Sequence, residues 1–259
     1  NAYFINGLMG EVLNNLQKIK DCRVISRRTV EQYRNQIKSI PEIAKELNVN
    51  YIVEGSGQKY GNTFRLRVQL IAANSEKHLW GESYEQEIKS TKDIFRIQSQ
   101  VAQTIATELE AKITPEEKQL IEKSSTTNLS AYDFYGRGEE ERRKYEYYNS
   151  DKKALKRAEE MYYKALKYDS TFAPAYIGLG RVYIRTHYYK TFYSENFLDS
   201  LLILADRALS YDDHLADGYY WRGRYFISNG NTEQGAKEFD KALKYNPNYW
   251  EAYDGKGWF

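Results

Sequence analysis

The amino-acid sequence predicts a two-part fold: a small α/β domain with a mixed sheet, followed by an α–α superhelix of repeated helix pairs. Three observations predict it. Lys164-Ala165-Leu166-Lys167-Tyr168, Arg207-Ala208-Leu209-Ser210-Tyr211 and Lys241-Ala242-Leu243-Lys244-Tyr245 are three copies of one helical signature. Ala208 and Ala242, Tyr219 and Tyr253, and Gly223 and Gly257 each lie 34 residues apart, a period that marks helix pairs stacked side by side. The first half instead switches between helical and strand periodicity.

In the first half, Phe4, Ile5, Leu8, Met9, Val12, Leu13, Leu16 and Ile19 form one helical stripe. Arg23 to Ser26 reads as a short strand opened by Cys22. Ser39 with Glu42 three residues on is a capping box, and Pro41 suits the first turn of the helix that follows. That helix is expected to bury Ile43, Ala44 and Leu47 and to stop at Asn48. Tyr51 to Gly55 reads as a strand, and Gly61-Asn62 as a hairpin loop, because both residues tolerate positive φ. On the return strand Phe64, Leu66, Val68 and Leu70 face one way, and Arg65, Arg67 and Gln69 the other. Leu79 to Tyr84 completes the meander; Ile94, Ile97, Val101, Ile105 and Leu109 mark a long amphipathic helix. Helices on one face of a small mixed sheet accommodate this order. Thr114-Pro115-Glu116-Glu117 caps a further short helix.

These blocks, above all Phe4-Ile5-Asn6-Gly7-Leu8, Ile43 to Val49, Tyr51 to Ser56, Arg67 to Ile71 and Leu79 to Tyr84, resemble the TolB-type amino-terminal domain over about residues 3–110. Asn6 replaces the acidic residue common in that family before Gly-Leu, and the family's opening strand would lie before Tyr3. A sheet lacking that strand exposes an edge.

Ser124-Ser125-Thr126-Thr127-Asn128 reads as a linker of small polar residues. It divides a domain at 1–123 from a linker at 124–129 and repeats at 130–259, three plus a truncated fourth. In the third repeat Tyr219, Gly223, Phe226, Gly230, Phe239, Ala242 and Pro247 fall where tetratricopeptide units place small, aromatic and turn residues. The second carries Tyr176, Leu179, Gly180, Tyr183, Ala208 and Leu209, with nine extra residues assigned to longer helices or to the turn around His187 to Ser194. The first, with Tyr132, Gly138, Tyr162 and Ala165, is also extended. The helix pairs therefore resemble tetratricopeptide repeats.

That resemblance implies that the first helix of each pair lines a concave, protein-binding groove. With the glycines as register marks, the groove positions are Tyr135, Glu139, Arg142 and Arg143, then Ile177, Arg181, Ile184 and Arg185, then Tyr220, Arg224 and Ile227. Such a set would favour an acidic segment or a terminal carboxylate through charge-assisted hydrogen bonds. The alternative is that these arginines form salt bridges within the stack.

Composition narrows the function. A net charge of +2 gives no global electrostatic case for nucleic acid or anionic lipid. The basic set Lys18, Lys20, Arg23, Arg27, Arg28, Arg34 and Lys38 is the best local case, but it is diluted by polar residues and lacks a recognition helix. The excess of Tyr, 25 against 10 Phe and 4 Trp, suits half-buried surfaces and interfaces, or simply repeat packing. The single Cys22 excludes an internal disulfide. No apolar run is long enough to span a membrane. His78, His187 and His214 are scattered without ligands at metal spacing. Gly55-Ser56-Gly57 leads into a hairpin and not a helix, so it does not form a phosphate loop. Glu139 to Glu141 before Arg142-Arg143 reads as a charged helix face.

No catalytic residue, cofactor or metal is expected. The expected function is a non-catalytic interaction or sensory region of a bacterial regulatory protein with a protein or peptide partner. The alternatives are an accessory region of a signalling enzyme such as a nucleotide cyclase, or a structural cell-envelope protein. The resemblance implies an output domain elsewhere, such as a winged helix or a cyclase, and makes an extracytoplasmic position plausible. Asn1-Ala2 ahead of Tyr3, and an ending at Trp258-Phe259 inside a repeat, are read as marks of an excised fragment whose uncapped end would be sticky.

Overall fold

The computed structural model describes residues 2–33, 36–149, 151–188 and 196–257. Arg34, the centre of the expected insertion near Ser194, and Trp258-Phe259 lie outside the described residues. The chain falls into two compact units, Asn1–Lys123 and Ser124–Phe259.

The first unit runs α1 (Ala2–Gln17), α2 (Arg27–Glu31), α3 (Ile40–Leu47), β1 (Tyr51–Tyr60), β2 (Thr63–Ala72), β3 (Lys77–Glu87), α4 (Thr91–Glu108) and α5 (Pro115–Glu122). The sheet order is β1-β2-β3, antiparallel throughout. The expected mixed sheet is thus corrected. The strands follow one another through short turns, and parallel pairing needs a long crossover. Residues 23–26 are not a strand either. Ser26 accepts the Thr29 amide as N-cap of α2, and the Arg23 guanidinium donates to the Asn48 carbonyl, which commits that stretch to a helix start.

The capping boxes at Ser39 and Thr114 form, and Asn48 closes α3 in the left-handed region at φ 51°. Of the apolar residues expected inside α3, only Ala44 is fully buried. The two-residue turn Gly61-Asn62 joins Tyr60 to its partner Thr63, and of the two only Gly61 has positive φ. Phe64, Leu66, Val68 and Leu70 of β2 are buried beneath helices together with Leu8, Val12, Val101 and Ile105. Across from Val68 and Leu66 stand Gly55 and Gly57. A Cβ on Gly55 would lie 2.3 Å from Met9 Sδ, so this glycine is where α1 approaches the sheet.

The second unit is entirely helical among the described residues: α6 (Leu129–Arg143) with a π-helical turn (Lys144–Asn149), α7 (Lys152–Tyr168), α8 (Ala173–Tyr188), α9 (Asn196–Tyr211), α10 (Ala216–Ser228), α11 (Thr232–Tyr245) and α12 (Trp250–Lys256). Each helix packs on its neighbours in sequence, and first helices of successive pairs also touch, α6 on α8 and α10 on α12. The π-helical turn accounts for the long first repeat. The expected linker is not free at its end. Thr126 is buried and bonded to Asp169, while Asn128 caps α6 and donates to the Tyr168 carbonyl.

One hairpin geometry recurs. Ala165, Ala208 and Ala242 are each 0% exposed where the two helices of a pair cross. The signature tyrosines stack on the first helix of their own pair: Tyr168 on Phe134 at 5.5 Å, Tyr211 on Tyr176 at 6.0 Å, Tyr245 on Tyr219 at 5.7 Å. In the turn that follows, Asp169, Asp212 and Asn246 each accept the amide two residues on. Tyr176, Tyr219 and Tyr253 then donate to the carbonyls of Ser170, Asp213 and Pro247. Much of the tyrosine excess is this repeated ring-and-hydroxyl clasp.

Between pairs an aromatic ring fills a glycine notch. Tyr162 of α7 lies between Gly138 of α6 and Gly178 of α8; a Cβ on either would come within 2.7 or 2.6 Å of its ring. Phe239 of α11 lies in the same way between Gly223 of α10 and Gly255 of α12. By register the second repeat reverses these sizes, with Ala205 in place of the aromatic and Trp221 in place of the glycine.

Candidate protein-binding face on the first helices

The first helices α6, α8 and α10 share a row of charged residues. On α6 the buried Arg142 donates to Glu139 and to Glu146, both at 2.6 Å. The Tyr162 hydroxyl donates to Glu139 at 2.6 Å. Burial by itself would raise the Glu139 carboxyl. The charges of Arg142 and Arg181, with the bonds from Arg142 and Tyr162, outweigh it and hold the group well below the usual carboxylate range. Burial likewise opposes the charge on Arg142, and its two glutamates overcome that. On α8 Arg181 binds Asp217 of α10, and Arg185 lies 3.7 Å from Glu146. The Tyr249 hydroxyl, at the start of α12, donates to Asp217 at 2.7 Å. Asp217 therefore ties together three successive repeats. Arg224, exposed, reaches the Tyr220 hydroxyl at 3.4 Å.

This geometry sorts the sequence-derived groove set. Ile177 is buried with Ala173 and Ala208, and Tyr220 is buried against Phe239 and Tyr249. Tyr135 packs on Tyr162 and Phe172. Ile177 and Tyr220 are thus core residues, and Tyr135 is half-buried against the core. Arg142 and Arg143 are buried on their own glutamates. Arg181, Arg185 and Arg224 keep accessible surface. Glu146, Asp217 and Tyr249 were missed by the sequence reading. Asp217 was legible, because it shares a helical stripe with Tyr220 and Arg224. Glu146 was not, because the π-helical turn sets its direction.

Other candidates resolve into structural roles. Lys18 donates to the Leu120 carbonyl, Arg27 to the Asn6 carbonyl, and Lys38 binds Glu46 at 2.6 Å. These three members of the basic set therefore anchor the unit's own backbone and helices. Gly55-Ser56-Gly57 lies inside β1. His214 does have carboxylate neighbours, which corrects the expectation: ligand atoms of Asp212, Asp213 and His214 lie within 4.8 Å of one another. Asp212 holds the His214 amide, as Asp169 and Asn246 do at their equivalent turns, and the imidazole packs on Tyr245 at 4.8 Å. Burial pushes the Cys22 thiol up, as for an inert core cysteine. Among the described residues no helix is long and apolar enough to cross a membrane.

Comparison with known proteins gives partial matches. No family model matches the chain. It is 31% identical over 132 residues to Putative adenylate cyclase 3 of Rhizobium meliloti (strain 1021). That match takes in 51% of this chain and 22% of the relative, so the chain spans about a fifth of that protein's length. Among solved structures, the crystal structure of MamA is similar over 65% of this chain and 78% of that one, with 18% identity and a TM-score of 0.37, too low to speak for fold or function.

Proposed function

We propose that the helical unit is a tetratricopeptide-type scaffold that binds a protein or peptide partner across its first helices. In this reading it is carried beside a TolB-like domain in a bacterial regulatory protein, and the chain itself performs no catalysis. The supporting observation is the hairpin geometry that recurs from pair to pair, with the same alanine, ring stack and turn each time. Repetition of this kind builds an extended surface, and such surfaces serve binding. An acidic partner is not carried forward. Arg142, Arg181 and Arg185 already face Glu139, Glu146 and Asp217, so the row is internally balanced.

A second reading is favoured by the likeness to a protein named as a putative adenylate cyclase over half of this chain. Here the same scaffold serves as the accessory region of a signalling enzyme. An extracytoplasmic position belongs to both readings as a proposal.

Photocrosslinking in cells that make the protein tests the scaffold. A benzophenone amino acid is placed at Arg224 or Arg185 on the first helices, and at Lys156, exposed on α7, as a control. The expected outcome is a discrete protein adduct from Arg224 and Arg185 and none from Lys156. Equal labelling from all three, or none from any, overturns the proposal.

A further inference from the structure

The net charge of +2 conceals a local imbalance on α7. That helix carries six cations, Lys152, Lys153, Lys156, Arg157, Lys164 and Lys167, against two acids, Glu159 and Glu160. At 3.6 residues per turn, Lys152, Lys153, Lys156, Tyr163 and Lys167 fall within about 100° of arc, along about 20 Å of helix. All five are exposed, while Ala154, Leu155, Ala158, Tyr162 and Ala165 are buried on the other side. Arg157 binds Glu141 and Asp151, whereas Lys152, Lys153, Lys156 and Lys167 have no ion-pair partner among the described residues. The single exposed acid of α7 is Glu160.

The other second helices do not share this face. By register, Asp199 of α9 and Glu233 of α11 stand where α7 has Lys156, and Asp206 and Asp240 stand where it has Tyr163. Cations answer three of these acids. Glu233 binds Lys237 at 2.6 Å, Asp240 binds Lys256 at 2.5 Å, and Asp206 lies 3.5 Å from Arg222. The solvent side of a second helix is balanced there, and α7 departs from that pattern. Like charges at helical spacing repel one another, so the departure is unfavourable until a counter-charge covers it.

The residue types on the face narrow the chemistry of that counter-charge. The unpartnered cations are all lysines. A lysine ammonium is a compact, hydrated point charge on a flexible stem, suited to a diffuse layer of anions, whereas the fixed arginine fork suits nucleic-acid phosphates. The arginine of this helix is already held by its carboxylates. Proteins that hold single-stranded nucleic acid offer free rings on which bases stack. The exposed rings here are engaged: Tyr168 lies on Phe134, and the Tyr163 hydroxyl shares a hydrogen bond with that of Tyr183. Tyr163 is nonetheless 50% exposed, and a ring with a polar tip suits the boundary between lipid and water. We propose that the outer face of α7 lies on an anionic bilayer surface, with Lys152, Lys153, Lys156 and Lys167 against lipid phosphate headgroups and Tyr163 at headgroup level. This face is separate from the first helices, and lipid contact gives no protein adduct at Lys156, so either proposal can fail without the other.

The full chain is sedimented with vesicles of phosphatidylglycerol and phosphatidylcholine in equal parts, and with vesicles of phosphatidylcholine alone, at about 0.15 M salt. Binding to the anionic vesicles alone is expected. Lys152→Gln, Lys153→Gln, Lys156→Gln and Lys167→Gln together should weaken it roughly tenfold or more. Lys156→Glu with Tyr163→Asp, which copies the acids of α11, should also weaken it. Lys237→Gln with Lys244→Gln on α11 should leave it unchanged. All of these positions are exposed, so every variant should retain the parental circular dichroism. No binding to anionic vesicles, equal binding to neutral ones, or an equal loss from the α7 and α11 lysine variants overturns the proposal. Duplex DNA bound more tightly than the anionic vesicles at equal phosphate concentration, with the same dependence on the α7 lysines, overturns it in favour of nucleic acid.

Discussion

Tyr162→Ala is expected to remove about 3–5 kcal/mol of stability from the helical unit, a large part of the roughly 5–15 kcal/mol that a domain possesses. Tyr162 is fully buried and heads the large side chains of the core. Its ring occupies the notch between Gly138 and Gly178, and neither glycine has a side chain to collapse into the space it would leave. The loss is compounded by chemistry. Glu139, shielded from water and held ionised by Arg142 and Arg181, would lose the Tyr162 hydroxyl bond. Tyr162→Phe separates the two contributions. It keeps the ring and deletes only the bond, which should cost about 1–2 kcal/mol. Urea unfolding followed by far-ultraviolet circular dichroism measures both. An alanine variant no less stable than the phenylalanine variant would show that the notch is not filled as described.

A second large effect is expected at Arg222 and Glu238. The Glu238 side chain has no exposed surface, and its carboxylate lies 3.3 Å from Arg222 and 2.9 Å from Lys241. Arg222→Leu leaves that carboxylate buried with Lys241 and Gln234 alone, at an expected cost of about 3 kcal/mol. Glu238→Leu should cost less, because the Arg222 side chain is 27% exposed and can turn to Asp206. The double replacement by leucine should recover most of the loss. The reason lies in the same chain: one repeat earlier, the equivalent positions are Leu179 and Leu204, both packed in the apolar core. Urea midpoints of the wild type, both single variants and the double variant form the cycle. Losses that simply add would mean that the pair is not a closed ionic substitute for two leucines.

These residues also show how far the sequence could be read. The alternation of Phe64, Leu66, Val68 and Leu70 placed β2 correctly, because one buried face enforces a period of two. The signature alanines and the 34-residue period identified the helix pairs, because close crossing needs a small residue at a fixed place. The run at 23–26 was too short for alternation to decide, and the Ser26 cap took it into a helix start. In the candidate site the register glycines located the helices but not their faces. Tyr135, Ile177 and Tyr220 each lie three residues before a core-facing glycine, nearly one turn back, and so point into the core with it. Arg181 and Arg224 lie one residue beyond the glycine and turn away from it. The carboxylates that answer Arg181 and Arg185 come from other repeats, Asp217 of α10 for Arg181 and Glu146 of the π-helical turn for Arg185. Pairing of that kind depends on how helices stack, which no local pattern records.

The account rests on one hairpin repeated in one register, and the second repeat offers the most direct test. There Ala205 stands where α7 and α11 carry an aromatic, and Trp221 where α8 and α12 carry glycine. Ala205→Phe should destabilise the unit by overpacking against Trp221, and Trp221→Gly should do so by leaving a void. Together they rebuild the aromatic-on-glycine notch of the other repeats, so the double variant should lose about 2 kcal/mol less than the sum of the single losses in urea unfolding. Strictly additive losses would contradict the register, and with it the repeated scaffold.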